Sequence, residues 1–283
     1  MYAKNIWTDA DQAKKENIFA FGKEYRDFLT HGKTERRAVK EAKKLAIEKG
    51  FKDISSLKEI HPGDKVFAIN KDKNILVAVI GEKSMEEGRR VLGAHIDSPR
   101  LDIKQNPLYE KGGFALLETH YYGGIKKYQY VTIPLAIHGV VYKKDGTSFE
   151  VSIGEDADDP IVGITDLLIH LSADQLQKPA NKVIDGEDLD ITVGNIPLDK
   201  DEAGACKNYI LALLKDKYGR EEEDFLSSEL TAVPAGPARD YGLDRSRIAG
   251  YGHDDKVCAY TSLRAVLDAG KQEYTSVAVL VDK

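Results

Sequence analysis

Four short apolar runs limit the fold of this chain more than any other feature. They are KVFAIN, NILVAVIG, RVLGAHID and SVAVLVDK. The second and third runs are nearly continuous in apolar residues, which is typical of strands that are buried on both faces. Such strands occur in α/β sheets that carry helices on either side. The runs therefore predict an α/β fold with a mixed sheet flanked by helices.

Three segments show the periodicity of amphipathic helices. The first covers residues 8–31, and the second follows the capping residue Thr34 and ends at Gly50. The third is DDKVCAYTSLRAVLDAG, for which Gly270 is the expected stop. The residues predicted to face the core are Ile18, Phe21, Tyr25 and Phe28 in the first helix and Val257, Tyr260, Leu263, Val266 and Leu267 in the third.

The middle of the chain has a different pattern, with short and often alternating β segments. In YQYVTIPLAIHGVVYKKDGTSFEVSIG, the pair Asp145-Gly146 lies between two such segments and is a strong hairpin signal. Three further β segments are read at LLETHYY, ITDLLIHLS and LDITVGNIPL, with one helix at KNYILALLKDKYG. This pattern predicts a mostly β module inserted into the α/β domain.

These patterns divide the chain into three parts. Residues 1–100 are predicted to form the first part of the α/β domain, and residues 236–283 form an incomplete second part. Residues 101–235 form the β-rich insert between them. The last strand runs to Lys283 with no segment to cover it, although a parallel strand needs a crossover to its neighbour. We therefore expect the sequence to be a piece of a longer protein.

Composition excludes several classes of protein. The net charge of −6, with both signs mixed along 283 residues, is unlike a nucleic-acid-binding footprint. Cys206 and Cys258 are far apart and outside any CxxC spacing, which argues against a disulfide framework or a structural zinc knuckle. The first residues lack the apolar segment of a signal peptide, and no apolar run is long enough to span a membrane. We expect a cytoplasmic protein.

The first candidate site is the HxD pattern at the end of the third apolar run. His95 and Asp97 are two residues apart, so both side chains lie on the same face of an extended strand. A histidine can give one ring nitrogen to a metal while a carboxylate orients the other. The alternative is a polar strand end that leads into a turn at Ser98-Pro99.

The second candidate site is the Asp254-Asp255 pair, which follows a glycine-rich approach at the start of the third helix. Two adjacent carboxylates at the mouth of a buried sheet are costly unless a positive charge neutralises them, and a divalent cation would do so. His253 is a possible further ligand. The alternatives are that an aspartate only caps the helix, or that Lys256 supplies the neutralising charge.

Three stretches together resemble the aspartyl aminopeptidase family of co-catalytic zinc peptidases. They are VLGAHIDSPRLDIK, THYYGGIKKYQYVTIPLAIHGVV and AGYGHDDKVCAYTSLRAVL, and the resemblance covers essentially the whole chain. It implies two divalent metal ions, expected to be zinc, with His95 as a ligand to one of them. It also implies that Asp97 orients the site and that Asp254 bridges the ions. The family has Asn after its bridging aspartate, so Asp255 is a departure.

The resemblance also implies a role for the insert. In the family this module forms a dimer and helps to build a closed oligomer, so we expect a homo-oligomer through residues 101–235. His170 matches a histidine that reaches a neighbouring subunit's active site and stabilises the developing oxyanion. The alternative is a histidine that is simply hydrogen-bonded on a strand. His120 and His138 are predicted to be structural.

The ligand count limits what this chain can do by itself. A catalytic zinc usually has three protein ligands, and only His95 and Asp254 are identified here. The family's general-base glutamate and further ligands have no counterpart, and the acidic run Glu221–Asp224 is predicted to be a solvated surface. The function that the resemblance implies for the intact protein is removal of N-terminal residues, characteristically acidic ones, from peptides. Because ligands and the general base are missing, we expect this chain by itself to be inactive. The rivals are a non-catalytic oligomer-forming protein and a deacylase on the same scaffold.

Overall fold

A computed structural model describes residues 4–199, 203–219 and 221–283. Its helices are α1 (Gln12–His31), α2 (Glu35–Glu48), α3 (Ala205–Tyr218) and α4 (His253–Leu267). Its strands are β1 (Lys52–Asp53), β2 (Lys65–Asn70), β3 (Asn74–Val79), β4 (Arg89–His95), β5 (Arg100–Lys111), β6 (Phe114–Tyr122), β7 (Leu135–Tyr142), β8 (Ser148–Ile153), β9 (Ile191–Gly194), β10 (Ser228–Pro234), β11 (Arg239–Tyr241), β12 (Arg247–Ala249) and β13 (Thr275–Val281). None of the helices in these described ranges is both long and apolar enough to cross a membrane.

The described residues form two compact units. Unit 1 combines the chain up to Ser98 with Pro237–Lys283, and unit 2 is Pro99–Gly236. Unit 1 contains a five-stranded sheet of order β1-β2-β3-β13-β4, in which β13 runs antiparallel to β3 and parallel to β4. Strands of both directions thus share one sheet with helices packed on it. The predicted mixed α/β fold is confirmed.

The helices of unit 1 pack on one face of this sheet. Their buried residues share a single core with every second residue of the strands, such as Val77 and Val79 on β3 and Leu280 on β13. The opposite face carries a smaller cluster around Val66 and Val277. The apolar runs predicted helices on both sides, but α1, α2 and α4 all contribute to the same core. Apolar runs indicate that both faces are apolar, and they do not indicate what covers each face.

Local signals placed the helices of unit 1 well. The Asp11 carboxylate accepts a hydrogen bond from the Lys14 amide at 2.7 Å and begins α1. Thr34 caps α2 as predicted, with its hydroxyl accepting from the Arg37 amide at 3.4 Å. These side chains satisfy backbone donors that a helix leaves unpaired at its start. The first helix was predicted to begin at residue 8. It begins at Gln12, four residues later, because residues Ile6–Asp9 form a separate 3-10 turn and Asp11 is the cap.

Several predictions about burial in unit 1 are wrong, including that of Phe21, which was expected to face the core and is 39% exposed. RVLGAHID was expected to be buried on both faces, but Val91 and Leu92 are 55% and 42% exposed. They lie on β4, which is the last strand of the sheet and pairs with β13 alone among the described strands. Val257 was expected to face the core and is 44% exposed, whereas its neighbour Lys256 is fully buried. The helix ends at Leu267, three residues before Gly270.

Unit 2 contains a six-stranded antiparallel sheet of order β8-β7-β10-β5-β6-β9. Asp145-Gly146 forms the predicted hairpin between β7 and β8, where the Lys143 amide donates to the Thr147 carbonyl at 2.8 Å. Residues of β8 alternate between exposed and partly buried positions, as expected for a strand with one solvated face. The helix predicted in KNYILALLKDKYG is α3.

The segment ITDLLIHLS does not form the predicted strand. Val162, Gly163 and Ile164, just before or at its start, make isolated bridges, and Ile169–Leu171 is a 3-10 turn. Leu167, Leu168, Ile169 and Leu171 are each more than half exposed. The alternating pattern was misleading, because apolar residues at this spacing do not show whether a pairing strand is available. His170 lies on this turn.

Tyr130 contributes to the stability of unit 2 at alkaline pH. Its hydroxyl donates to the Pro99 carbonyl at 2.9 Å, and burial raises the pKa of Tyr130 to about 12. The unfolded chain ionises near the ordinary tyrosine pKa of about 10 while the folded chain keeps its proton. The contribution of Tyr130 to the free energy of unfolding is therefore fully present below about pH 10. It falls by about 2 kcal/mol as the pH rises to about 12. We expect Tyr130→Phe to flatten this slope in urea unfolding measured across that range. An unchanged slope would contradict the assignment.

Candidate active site

The end of β4 fixes the first half of the candidate site. The Ile96 amide donates to the Val281 carbonyl at 2.9 Å, which holds the strand end against β13. Asp97 is 4% exposed, and its Oδ1 accepts from the Lys283 amide at 2.9 Å. His95 Nδ1 lies 3.1 Å from the Asp97 carbonyl oxygen and 3.3 Å from Asp97 Oδ1. Because both of these oxygens are acceptors, Nδ1 carries the proton and Nε2 presents its lone pair.

The start of α4 supplies the second half. Gly252 is the N-cap at a φ of 85°, and no side chain caps the helix. Asp254 and Asp255 are joined by a cis peptide bond and have non-helical backbone angles. The Asp254 side chain is 94% exposed, and its Oδ1 lies 3.4 Å from His95 Nε2.

The two aspartates have different partners. Asp255 accepts a hydrogen bond from the Cys258 thiol, and this bond is the main reason why the pKa of Cys258 is raised. Asp254 instead directs a carboxylate oxygen towards His95. The geometry thus separates a carboxylate that is engaged within its own helix from one that faces the strand end.

His95 and Asp254 fit a metal ion between them. A neutral imidazole lone pair and a carboxylate oxygen repel each other unless a proton or cation lies between them. Zinc binds histidine nitrogen and carboxylate oxygen at about 2.0–2.2 Å, and tetrahedral angles then separate the two ligand atoms by about 3.4 Å. The observed separation is 3.4 Å. Within the described ranges, however, no group of three or more His, Cys, Asp or Glu side chains is positioned to hold a metal.

His253 is engaged elsewhere. Its Nε2 lies 3.1 Å from the Ile248 carbonyl, so this nitrogen carries the proton. Its Nδ1 then accepts from the Tyr25 hydroxyl at 3.0 Å. Burial raises the pKa of Tyr25, which keeps that hydroxyl protonated. Both ring nitrogens of His253 are therefore used, and the structure does not support it as a ligand.

Two side chains beside the site, Lys256 and Ser98, entered the sequence-based predictions only as parts of alternatives. Lys256 is completely buried, and its Nζ donates to Ser98 Oγ at 2.8 Å. Ser98 Oγ also lies 3.1 Å from the Asp254 carbonyl oxygen. The sequence named Lys256 as a possible neutralising charge and Ser98 as part of a turn, but it did not indicate that the two side chains contact each other.

The remaining candidate residues lie in unit 2. His170 is exposed on the turn Ile169–Leu171. The acidic run Glu221–Asp224 lies at the surface of unit 2. Glu222 forms an ion pair with Lys207 at 2.6 Å, and Glu223 forms one with Lys144 at 2.9 Å. His138 is buried with its Nε2 2.8 Å from Glu155 Oε1. The predictions of a solvated acidic surface and a structural His138 agree with these contacts.

Comparisons with known proteins give a consistent result. Residues 28–283 match the family described as Aminopeptidase I zinc metalloprotease (M18). A Clostridium acetobutylicum protein named "Probable M18 family aminopeptidase 1" is 50% identical over 99% of this chain. The chain covers 61% of that relative's length.

Solved structures show the same similarity. The crystal structure of an M18 family aminopeptidase from Thermotoga maritima superposes with a TM-score of 0.92 at 43% identity, over 99% of this chain and 61% of that one. The S. cerevisiae mApe1 dodecamer has a TM-score of 0.67 at 19% identity, over 94% of this chain and 60% of that one. At this identity the yeast structure supports the fold alone.

Proposed function

The chain belongs to the Aminopeptidase I zinc metalloprotease (M18) family, and from that premise we propose that the protein is a metal-dependent aminopeptidase. The observation that carries this proposal is the approach of His95 Nε2 to Asp254 Oδ1 at 3.4 Å, with Asp97 behind the ring. The chain spans 61% of the length of its Clostridium relative, so the proposal concerns the whole protein.

Each proposed residue has a distinct role. His95 and Asp254 would hold the metal, and by the family resemblance Asp254 would be shared between two ions. Asp97 fixes the His95 ring and its tautomer, and the Lys283 amide fixes Asp97 in turn. When bound, zinc supplies Lewis-acid polarisation of a peptide carbonyl and acidifies water. The carboxylate behind the histidine raises its basicity as a ligand.

The described residues supply two ligands, whereas a catalytic zinc normally takes three. We therefore infer that this stretch of chain alone binds metal weakly and has little or no turnover. The intact protein is proposed to release N-terminal residues from peptides in the cytoplasm, with a preference for acidic ones that rests on the family resemblance.

The experiment that tests this function is a substrate profile of the full-length, zinc-loaded protein. Peptides with N-terminal Asp, Glu or Leu are compared with N-acylated amino acids, and the products are identified by mass spectrometry. Release of free N-terminal residues supports an aminopeptidase. Turnover of N-acyl substrates alone would support the deacylase, and no turnover with bound zinc would favour a binding protein.

We also propose that the insert mediates homo-oligomer formation. Unit 2 exposes a group of large apolar side chains, which monomeric proteins rarely present together. They are Ile161, Leu167, Leu168, Ile169, Leu171 and Leu176, each more than half exposed. The yeast mApe1 structure of similar fold is a dodecamer. These apolar residues flank His170, so an interface here would bury the surroundings of that histidine.

His170 provides a separable test of this arrangement. If it donates a hydrogen bond to the developing oxyanion in a neighbouring subunit, His170→Ala should lower kcat by roughly 100- to 1000-fold. Zinc content and oligomer size should stay unchanged, as measured by metal analysis and light scattering. His120→Ala is the matched control, because His120 is also exposed in unit 2. Equal activity of the two variants would make His170 structural.

A further inference from the structure

The site contains a buried lysine that the proposed metal chemistry does not use. Lys256 has no exposed surface, although lysine is almost never fully buried without a partner. Burying an ammonium group is costly because it loses its hydration. A lysine kept in such a place, two residues from Asp254, calls for a role beyond packing.

The hydrogen-bond directions around Lys256 are fixed by chemistry. An ammonium has three donors and no acceptor, so Lys256 Nζ donates to Ser98 Oγ across their 2.8 Å separation. The single hydroxyl proton of Ser98 is then available for the Asp254 carbonyl oxygen, 3.1 Å away. The three residues form one relay, which runs from the helix interior through the strand end to the backbone of the proposed ligand.

The loop before α4 is shaped around this relay. The Tyr251 hydroxyl donates to the Ser98 carbonyl at 3.3 Å, and its ring centre lies 5.6 Å from Lys256 Nζ. A β-carbon on Gly252 would lie 2.8 Å from Lys256 Nζ and 3.0 Å from Ser98 Oγ. Glycine at this position therefore leaves the space that the lysine and the serine occupy. These contacts are independent of any contact made by the Asp254 carboxylate.

We propose that Lys256 is a positioning residue for the metal site, which acts through the Ser98 hydroxyl to fix the Asp254 backbone and so aim its carboxylate at His95. The inference rests on the proposed metal site. The Asp254 side chain is 94% exposed, so surrounding side chains hold it little, and the backbone sets where its Cα–Cβ bond points. Fixing the carbonyl fixes the peptide plane next to the Asp254 Cα, which limits the positions that the carboxylate reaches through its side-chain rotamers.

The test measures zinc affinity in the full-length protein by competition with a chelator. Lys256→Met removes the ammonium at similar length, and Ser98→Ala removes the relay hydroxyl. We expect each to weaken zinc binding by roughly 10- to 100-fold, as is usual for groups that orient metal ligands. The double variant should lose no more than the stronger single variant, because both act on one relay. Lys256→Arg restores a cationic donor and should recover part of the loss.

A matched control removes a similar ammonium elsewhere. Lys83 Nζ donates to the Tyr274 hydroxyl at 3.2 Å and lies 4.9 Å from that ring centre, as Lys256 lies near Tyr251. Lys83→Met should leave zinc affinity unchanged. Spectra of the cobalt-substituted proteins report the ligand geometry without turnover, and Lys256→Met should change them while Lys83→Met should not.

The outcomes separate this inference from the proposed function. If zinc binding is lost in Asp254→Ala but unchanged in folded Lys256→Met, this inference alone fails. If Lys256→Met does not fold, Ser98→Ala decides, and wild-type affinity in that variant overturns the relay. Additive losses in the double variant also overturn it. If the wild-type protein binds no zinc, or Asp254→Ala binds it normally, the proposed site fails and the inference fails with it.

Discussion

Replacing Asp254 by alanine in the full-length protein is expected to abolish zinc binding and peptidase activity together. The carboxylate oxygen that faces His95 Nε2 at 3.4 Å would be lost, and the proposed site has Asp254 as a shared ligand of its metal ions. The loss should exceed the roughly 10- to 100-fold effect of groups that only orient ligands. Metal content after dialysis and the rate of release of an N-terminal residue measure the two effects on one sample.

Asp255→Ala is the matched control for this prediction. It removes an adjacent carboxylate of the same chemistry, which accepts from the Cys258 thiol. We expect zinc content close to that of the wild type, with a lowered pKa of Cys258 visible in thiol alkylation rates. If Asp255→Ala loses the metal while Asp254→Ala keeps it, the assignment of the ligand is reversed.

Gly139→Ala is expected to cause the largest loss of stability in unit 2. Gly139 lies on β7 at a φ of 153°, opposite Leu230 on β10. A β-carbon there would overlap the Glu229 carbonyl oxygen and lie 2.9 Å from the Leu230 Cα. These atoms are backbone and cannot move without breaking the strand pairing. Steric overlap and backbone strain together should cost at least about 3 kcal/mol in urea unfolding.

Gly146→Ala provides the comparison within the same hairpin. Gly146 also has a positive φ, of 83°, but a β-carbon there would meet nothing within 4 Å. In this variant the free energy of unfolding should fall only by the cost of a positive φ at alanine, about 1 kcal/mol. If the two variants are equally stable, the contact between β7 and β10 is looser than the structure shows.

For the candidate site, residue types and their spacing predicted which residues to consider, but not how their side chains are directed. The HxD spacing placed His95 and Asp97 on one face of a strand end, because the period of a strand is two residues. The resemblance to the peptidase family then joined them to Asp254. Asp254 was preferred to Asp255 only because its spacing to Cys258 fits the family's helix start, whereas the direction of each carboxylate depends on backbone angles at the start of α4.

Local chemistry by itself determined where the helices and most strands lie. Thr34 and Asp145-Gly146 act on backbone groups within a few residues, so their effects can be read without knowing the rest of the fold. The tertiary structure decided what depends on distant neighbours: the exposure of β4, the turn that carries His170, and the burial of Lys256 against Ser98. The last pair is 158 residues apart in sequence. Sequence periodicity shows which faces are apolar, whereas long-range packing decides what each face meets.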